Sequence, residues 1–142
     1  MIQALRRYFP STPDWLLGGS FAVLLLWLIV LPAELIEIMI RHEYVPVSFL
    51  GWGIKFLYIW GYAISLFAVA PLAEYSSTPD QLGGFLIVLF GLVITSPVYF
   101  LIGAFLVGRK ESMIALGVAL ATVHLIASCL VAIWLVRFLF SA

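Results

Sequence analysis

Two ionisable side chains of opposite sign, Glu34 and Lys55, lie inside otherwise apolar stretches of this sequence. Glu34 precedes Arg41 by seven residues and Lys55 follows Val47 by eight. At the rise of an α-helix these separations place the two charges about 10 and 12 Å inside their helices. A lone charge in lipid costs roughly 3 kcal/mol, so similar depths predict an intramembrane ion pair. The pair would serve either a transport path or a structural tie, and the sequence favours neither.

Three further polar side chains, Tyr58, Tyr99 and His124, interrupt apolar segments. Together with Glu34 they could line one polar interior between helices. His124 belongs to a helical stripe of small and polar residues, and the simpler interpretation of such a stripe is close helix packing. The functional alternative is a proton relay between His124 and Glu34. We therefore treat Glu34, Lys55, Tyr58, Tyr99 and His124 as one candidate intramembrane polar site.

Two other features flank this candidate site. Glu37 and Arg41 stand four residues apart in the order that favours an ion pair on a helix. Because they fall near a predicted membrane surface, we expect an interfacial pair that contributes little to stability. Pro32 and Pro97 each remove a backbone hydrogen bond inside an apolar segment, which predicts a helix kink at both positions.

Several kinds of chemistry lack their residues. The single cysteine, Cys129, excludes an intramolecular disulfide and a cysteine-built metal site. The two histidines, His42 and His124, fall at different predicted depths, which argues against haem ligation by both. Signatures such as HExxH and GxSxG are missing. We predict no cofactor and no metal, and we identify no catalytic residue, so the sequence leans against an enzyme.

The elements that would position the polar residues are membrane helices. Of the 142 residues, 65% are hydrophobic and only 10% are charged, with a mean hydropathy of +1.20. A soluble domain of this size could not bury that much apolar surface. Seven basic and seven acidic residues leave no basic tract for nucleic acid. We predict one integral membrane domain, all-α, with four spans at about 14–40, 48–70, 81–107 and 112–138.

The chain contains a duplicated segment. STPDWLLGG at 11–19 returns as STPDQLGG at 77–84, and each copy continues through an apolar run to a proline. We predict two tandem helical hairpins, repeat A at 11–75 and repeat B at 76–142. Because each hairpin would cross the membrane twice, both would enter from the same side. A pseudo-two-fold axis along the membrane normal would then relate them.

Basic residues encode the orientation poorly on this topology. Three of them would lie on the side of the termini (Arg6, Arg7 and Arg137) and three on the other (Arg41, Arg109 and Lys110). The N-terminal pair favours cytoplasmic termini in a multi-pass protein of the cell's inner membrane. The small bias also permits insertion in both orientations.

Two functional hypotheses remain from the sequence. The first, which the absence of a catalytic motif and the short loops favour, is a non-catalytic subunit or accessory protein of a larger membrane complex. The alternative is a small homo-oligomeric transporter or channel, coupled to protons through Glu34 and Lys55. The expected partners are the lipid bilayer and either other membrane subunits or further copies of this chain. Neither the substrate nor the partner is specified.

Overall fold

The computed structural model describes residues 1–41, 49–75 and 80–141. These residues form an all-α structure of six helices, and its order along the chain is α1 (Ile2–Tyr8), α2 (Asp14–Arg41), α3 (Phe49–Phe56), α4 (Ile59–Tyr75), α5 (Asp80–Leu106) and α6 (Glu111–Phe140). The prolines at 32 and 97 lie inside α2 and α5, both of which continue past them.

Three of these helices are long and apolar enough to cross a membrane. The candidate spans are Asp14–Met39 in α2, Leu82–Leu106 in α5 and Glu111–Phe140 in α6, and they match three of the four predicted spans. The remaining predicted span, 48–70, is not a continuous helix, because α3 ends at Phe56 and α4 begins at Ile59. Helix α4, Ile59–Tyr75, has 17 residues and is not among the described helices long and apolar enough for a full crossing.

The central helix of the bundle is α5, and α2 packs against it in the opposite direction. Near the start of α2, Gly18 lies against Gly103 and Val107, close to the end of α5. Further along α2, the Trp27 indole Nε1 donates a hydrogen bond to Ser96 Oγ at 2.9 Å. The two helices are therefore antiparallel. The absence of side chains at Gly18 and Gly103 lets the two backbones approach closely.

Helices α4 and α6 are also antiparallel to α5. Gly61 of α4 lies against Gly91, and Ser65 Oγ donates to the Ile87 carbonyl at 2.7 Å. On α6, Gly117 lies against Phe105 near the end of α5. Consequently α2, α4 and α6 run in one direction and α5 runs in the other.

The structure does not confirm the predicted parallel repeat or the fourth continuous span. The duplicated segments begin α2 and α5, which run antiparallel, so these two helices do not have the predicted parallel relation. The prediction assumed that the segment 48–70 returns across the membrane after α2. Instead α4 runs in the direction of α2, and the chain between them includes the short helix α3.

Large apolar side chains occupy both the core and the surface. Leu26, Val30, Ile59, Leu92 and Leu135 are buried where α2, α4, α5 and α6 meet. The outer faces of the long helices expose other large apolar side chains, among them Leu28, Val123 and Leu130. Because the backbone N–H and C=O groups bond to each other within the helices, a surface of apolar side chains is suited to contact with lipid.

Candidate functional site

The predicted contact between Glu34 and Lys55 is present in the structure. Nζ of Lys55, in the last turn of α3, lies 2.5 Å from Oε2 of Glu34 in α2. A second carboxylate oxygen, Oε2 of Glu37, lies 4.0 Å from the same ammonium. The side chains of Glu34 and Lys55 are each only 2% exposed. Two opposite charges are therefore held together in a nearly water-free part of the bundle, where each needs the other.

Aromatic side chains of α4 and the residue before it enclose this ion pair. The ammonium of Lys55 lies 5.0 Å from the ring centre of Tyr62, within the range of a cation–π contact. The Tyr58 and Tyr62 rings pack edge to face at 5.9 Å. Glu34 Oε1 and the Tyr58 hydroxyl are both buried, and neither forms a hydrogen bond of ordinary geometry among the described residues, although the hydroxyl lies beside the Glu34 carboxylate. The pair thus has unused hydrogen-bonding capacity at its centre.

The helical backbone is interrupted directly beside the pair. Leu57 N donates to Ile54 O and Tyr58 N donates to Lys55 O, so α3 closes with bonds three residues apart instead of four. The tyrosine Tyr99 of α5 stabilises this break, because its hydroxyl donates to the Leu57 carbonyl at 2.6 Å. A carbonyl released from a helix inside an apolar bundle requires such a donor.

His124 of α6 lies on the other side of the break. The Trp60 indole Nε1 donates to His124 Nδ1 at 3.1 Å, and the rings of Tyr99 and His124 pack edge to face at 5.2 Å. Because the indole N–H can only donate, this contact assigns Nδ1 as the acceptor and leaves Nε2 as the protonated nitrogen of a neutral imidazole. His124 also approaches the Leu57 carbonyl, so the released carbonyl has two donors near it.

The five predicted site residues therefore form two groups joined by the helix break. Glu34, Lys55 and Tyr58 form the charged group, while Tyr99 and His124 meet at the Leu57 carbonyl. Their joint role in function stays a prediction. The predicted pair of Glu37 with Arg41 lies outside the described residues, because the Arg41 side chain belongs to the part not described.

Two features of this site were not predicted from the sequence. The break at Leu57 and Tyr58 contains neither proline nor glycine, so no local signal marks it. Trp60 belongs to no motif in the sequence, yet its indole is the hydrogen-bond donor to His124.

A second ionic cluster lies at the other end of the bundle. Nε and Nη2 of Arg6 contact the Asp14 carboxylate at 2.9 and 2.6 Å. Nη2 of Arg109, in the turn between α5 and α6, lies 3.5 Å from Oδ2 of Asp14. The sequence interpretation placed Arg6 and Arg109 on opposite sides of the membrane. The structure places them at the same end because α5 and α2 run antiparallel.

Comparisons with known proteins supply no relative for this chain. No family model matches it, and neither the curated proteins nor the solved structures contain a match. In the described part of the chain, no three histidine, cysteine, aspartate or glutamate side chains come together as a metal site would require. The geometry of the buried ion pair and the helix break therefore carries the functional argument.

Proposed function

We propose that this chain is an integral membrane protein that moves protons or small cations through the site built on Glu34 and Lys55. The observation that carries the proposal is a buried ion pair at an interrupted helix. Ionisable residues inside membrane segments are costly and commonly mark ion or proton pathways. Interrupted helices near mid-membrane are a common way to build ion and substrate sites in secondary transporters.

The buried pair leaves polar atoms that a purely structural tie would satisfy. A purely structural pair gains most when all polar atoms around it are satisfied. Here the Tyr58 hydroxyl lies beside the Glu34 carboxylate, but neither it nor Glu34 Oε1 forms a hydrogen bond of ordinary geometry among the described residues. A proton or cation that binds at Oε1 would weaken the hold of Glu34 on Lys55. Lys55 then retains Glu37, whose carboxylate lies 4.0 Å away, as a second partner.

The membrane arrangement follows from the helix directions. Helices α2, α5 and α6 form three spans, and the broken unit of α3 and α4 forms the fourth membrane element. The duplicated segments begin two antiparallel helices, which fits an inverted relation of the kind found in transporters better than a parallel one. Four basic residues (Arg6, Arg7, Arg109 and Lys110) lie at the end of the bundle that holds Asp14, against Arg41 and Arg137 at the other. This asymmetry supports an orientation with the N-terminus in the cytoplasm and the end of α6 across the inner membrane.

Proton flux into liposomes tests the proposal. The purified protein is reconstituted with a pH-sensitive dye inside, and a potassium diffusion potential drives protons inward. We expect acidification with the native protein and none above empty liposomes with Glu34→Gln. Glu111→Gln, which changes an exposed acidic residue at the start of α6, should retain the native rate. Native flux in folded Glu34→Gln, or no flux with the native protein, would refute the proposal.

A second candidate function is a non-catalytic subunit of a larger membrane complex. The observation that favours it is the exposure of α6. Only 11% of the residues in its most apolar stretch are buried, whereas 28% are buried in the corresponding stretches of α2 and α5. Native mass spectrometry after gentle extraction separates the candidates. Foreign chains in fixed stoichiometry would favour the subunit, and copies of this chain alone would favour a homo-oligomeric transporter.

A further inference from the structure

The cluster around Asp14 borders a cleft that the proposed transport site does not use. The cleft has a volume of about 350 Å³, and its walls are formed by Arg6, Pro10, Thr12, Pro13, Asp14 and Arg109. Two guanidinium groups and one carboxylate leave it with a net positive charge. The side chain of Arg109 is 78% exposed and that of Arg6 is 45% exposed. Both cations are thus accessible to a ligand outside the bundle.

The two arginines differ in how strongly Asp14 engages them. Arg6 makes short contacts to both carboxylate oxygens through Nε and Nη2. The contact of Arg109 with Asp14 is longer, with Nη2 lying 3.5 Å from Oδ2. A guanidinium carries five N–H donors, so Arg109 keeps most of its donors for another anion. Phosphate and carboxylate oxygens are the partners that this planar fork binds best.

The position of the cleft selects a membrane lipid as the source of that anion. The candidate spans of α2 and α6 begin at Asp14 and Glu111, and that of α5 ends at Leu106. Three spans therefore end around the cleft, which places it at the level of the lipid headgroups. Tyr8, Phe9 and Trp15 are exposed near it, as expected of aromatic residues at the membrane interface.

We infer that this cleft binds the phosphate of an anionic phospholipid, with Arg109 as the principal contact and Arg6 as the second. Asp14 competes with the lipid for both arginines and so limits the affinity. The site would hold a lipid at the basic end of the bundle, where the negative surface potential of the cytoplasmic leaflet attracts arginine and lysine.

Native mass spectrometry of the full chain in detergent tests this inference. The probes are dioleoyl phosphatidylglycerol and dioleoyl phosphatidylcholine at equal concentration, and the measurement is the ratio of bound lipid. We expect the native protein to prefer phosphatidylglycerol, and Arg109→Gln to reduce the preference about fivefold. Arg137→Gln, an exposed arginine in the last turn of α6 at the other end, is the matched control and should keep the native preference.

Asp14→Asn gives the sharpest distinction from a structural role. Removal of the competing carboxylate should raise the preference for phosphatidylglycerol, whereas damage to the fold would lower the binding of both lipids. Equal retention of the two lipids by the native protein would overturn the inference, as would equal losses in Arg109→Gln and Arg137→Gln. Complete displacement of phosphatidylglycerol by inorganic phosphate would assign the cleft to a free anion and overturn it as well.

Discussion

The two ionic clusters of this protein use similar chemistry in opposite surroundings. Glu34 and Lys55 meet inside the bundle with 2% of each side chain exposed. Arg6 contacts Asp14 at the end of the bundle, with 45% and 21% of the two side chains exposed. Both contacts are short, so distance alone does not separate them. What separates them is the medium, since water screens the second pair and is excluded from the first.

This difference assigns the two clusters different tasks. Inside the bundle, loss of one partner leaves a charge that neither water nor another side chain can fully solvate. At the end of the bundle, either partner can turn to water or to a lipid headgroup at little cost. A site that must hold a charge in apolar surroundings therefore fits the first cluster, and one that exchanges ligands with the interface fits the second.

The largest expected effect is that of Lys55→Met. This substitution leaves Glu34 buried without its cation and should destabilise the protein by about 3 kcal/mol. Unfolding of the helical protein in mixed micelles with increasing denaturing detergent measures the loss. The double substitution Glu34→Gln with Lys55→Met removes both charges and should recover most of the stability. A double variant no more stable than the single one would show that the pair does not hold the fold.

Next in size is the effect of a methyl group at Gly61. A Cβ there would collide with Thr95 Oγ1 and with the Gly91 backbone carbonyl, which cannot move aside. Gly61→Ala should therefore cost about 2 kcal/mol and loosen α4 around the buried pair. Gly53→Ala is the matched control in α3, because a Cβ at that position meets nothing within 4 Å. Similar unfolding midpoints for the two variants would contradict the tight packing of α4 on α5.

Of the two ionic clusters, only the contact of Glu34 with Lys55 was predicted from the sequence. Opposite charges at similar depth in neighbouring apolar segments were enough to predict the contact of Glu34 with Lys55. The cluster around Asp14 was missed because it depends on helix directions, and a hydropathy pattern assigns the segment 48–70 a full crossing whether or not it breaks. The break itself depends on a tertiary hydrogen bond from Tyr99, 42 residues from Leu57 in the chain. No local propensity reports such a contact.

A smaller effect should follow from Tyr99→Phe. The substitution keeps the ring that packs on His124 and removes the hydroxyl that donates to the Leu57 carbonyl. We expect a loss of about 1 kcal/mol, because His124 also approaches that carbonyl and can partly replace the donor. Tyr8→Phe, an exposed tyrosine outside the bundle core, serves as the control. Hydrogen exchange at residues 57–61 should accelerate in Tyr99→Phe alone, and unchanged exchange would show that the break does not depend on this bond.

The smallest effect is expected at the exposed pair, and its dependence on salt is the informative part. Arg6→Gln removes the short contacts to Asp14, but water and Arg109 remain close to that carboxylate. The unfolding midpoint should therefore fall slightly in dilute buffer, and the difference from the native protein should vanish at high salt. The loss caused by Lys55→Met should persist under the same conditions, because mobile ions do not reach a pair that is 2% exposed. If salt removed both differences equally, the two clusters would share one dielectric environment, and the distinction between a buried charge site and an exchangeable interfacial one would fail.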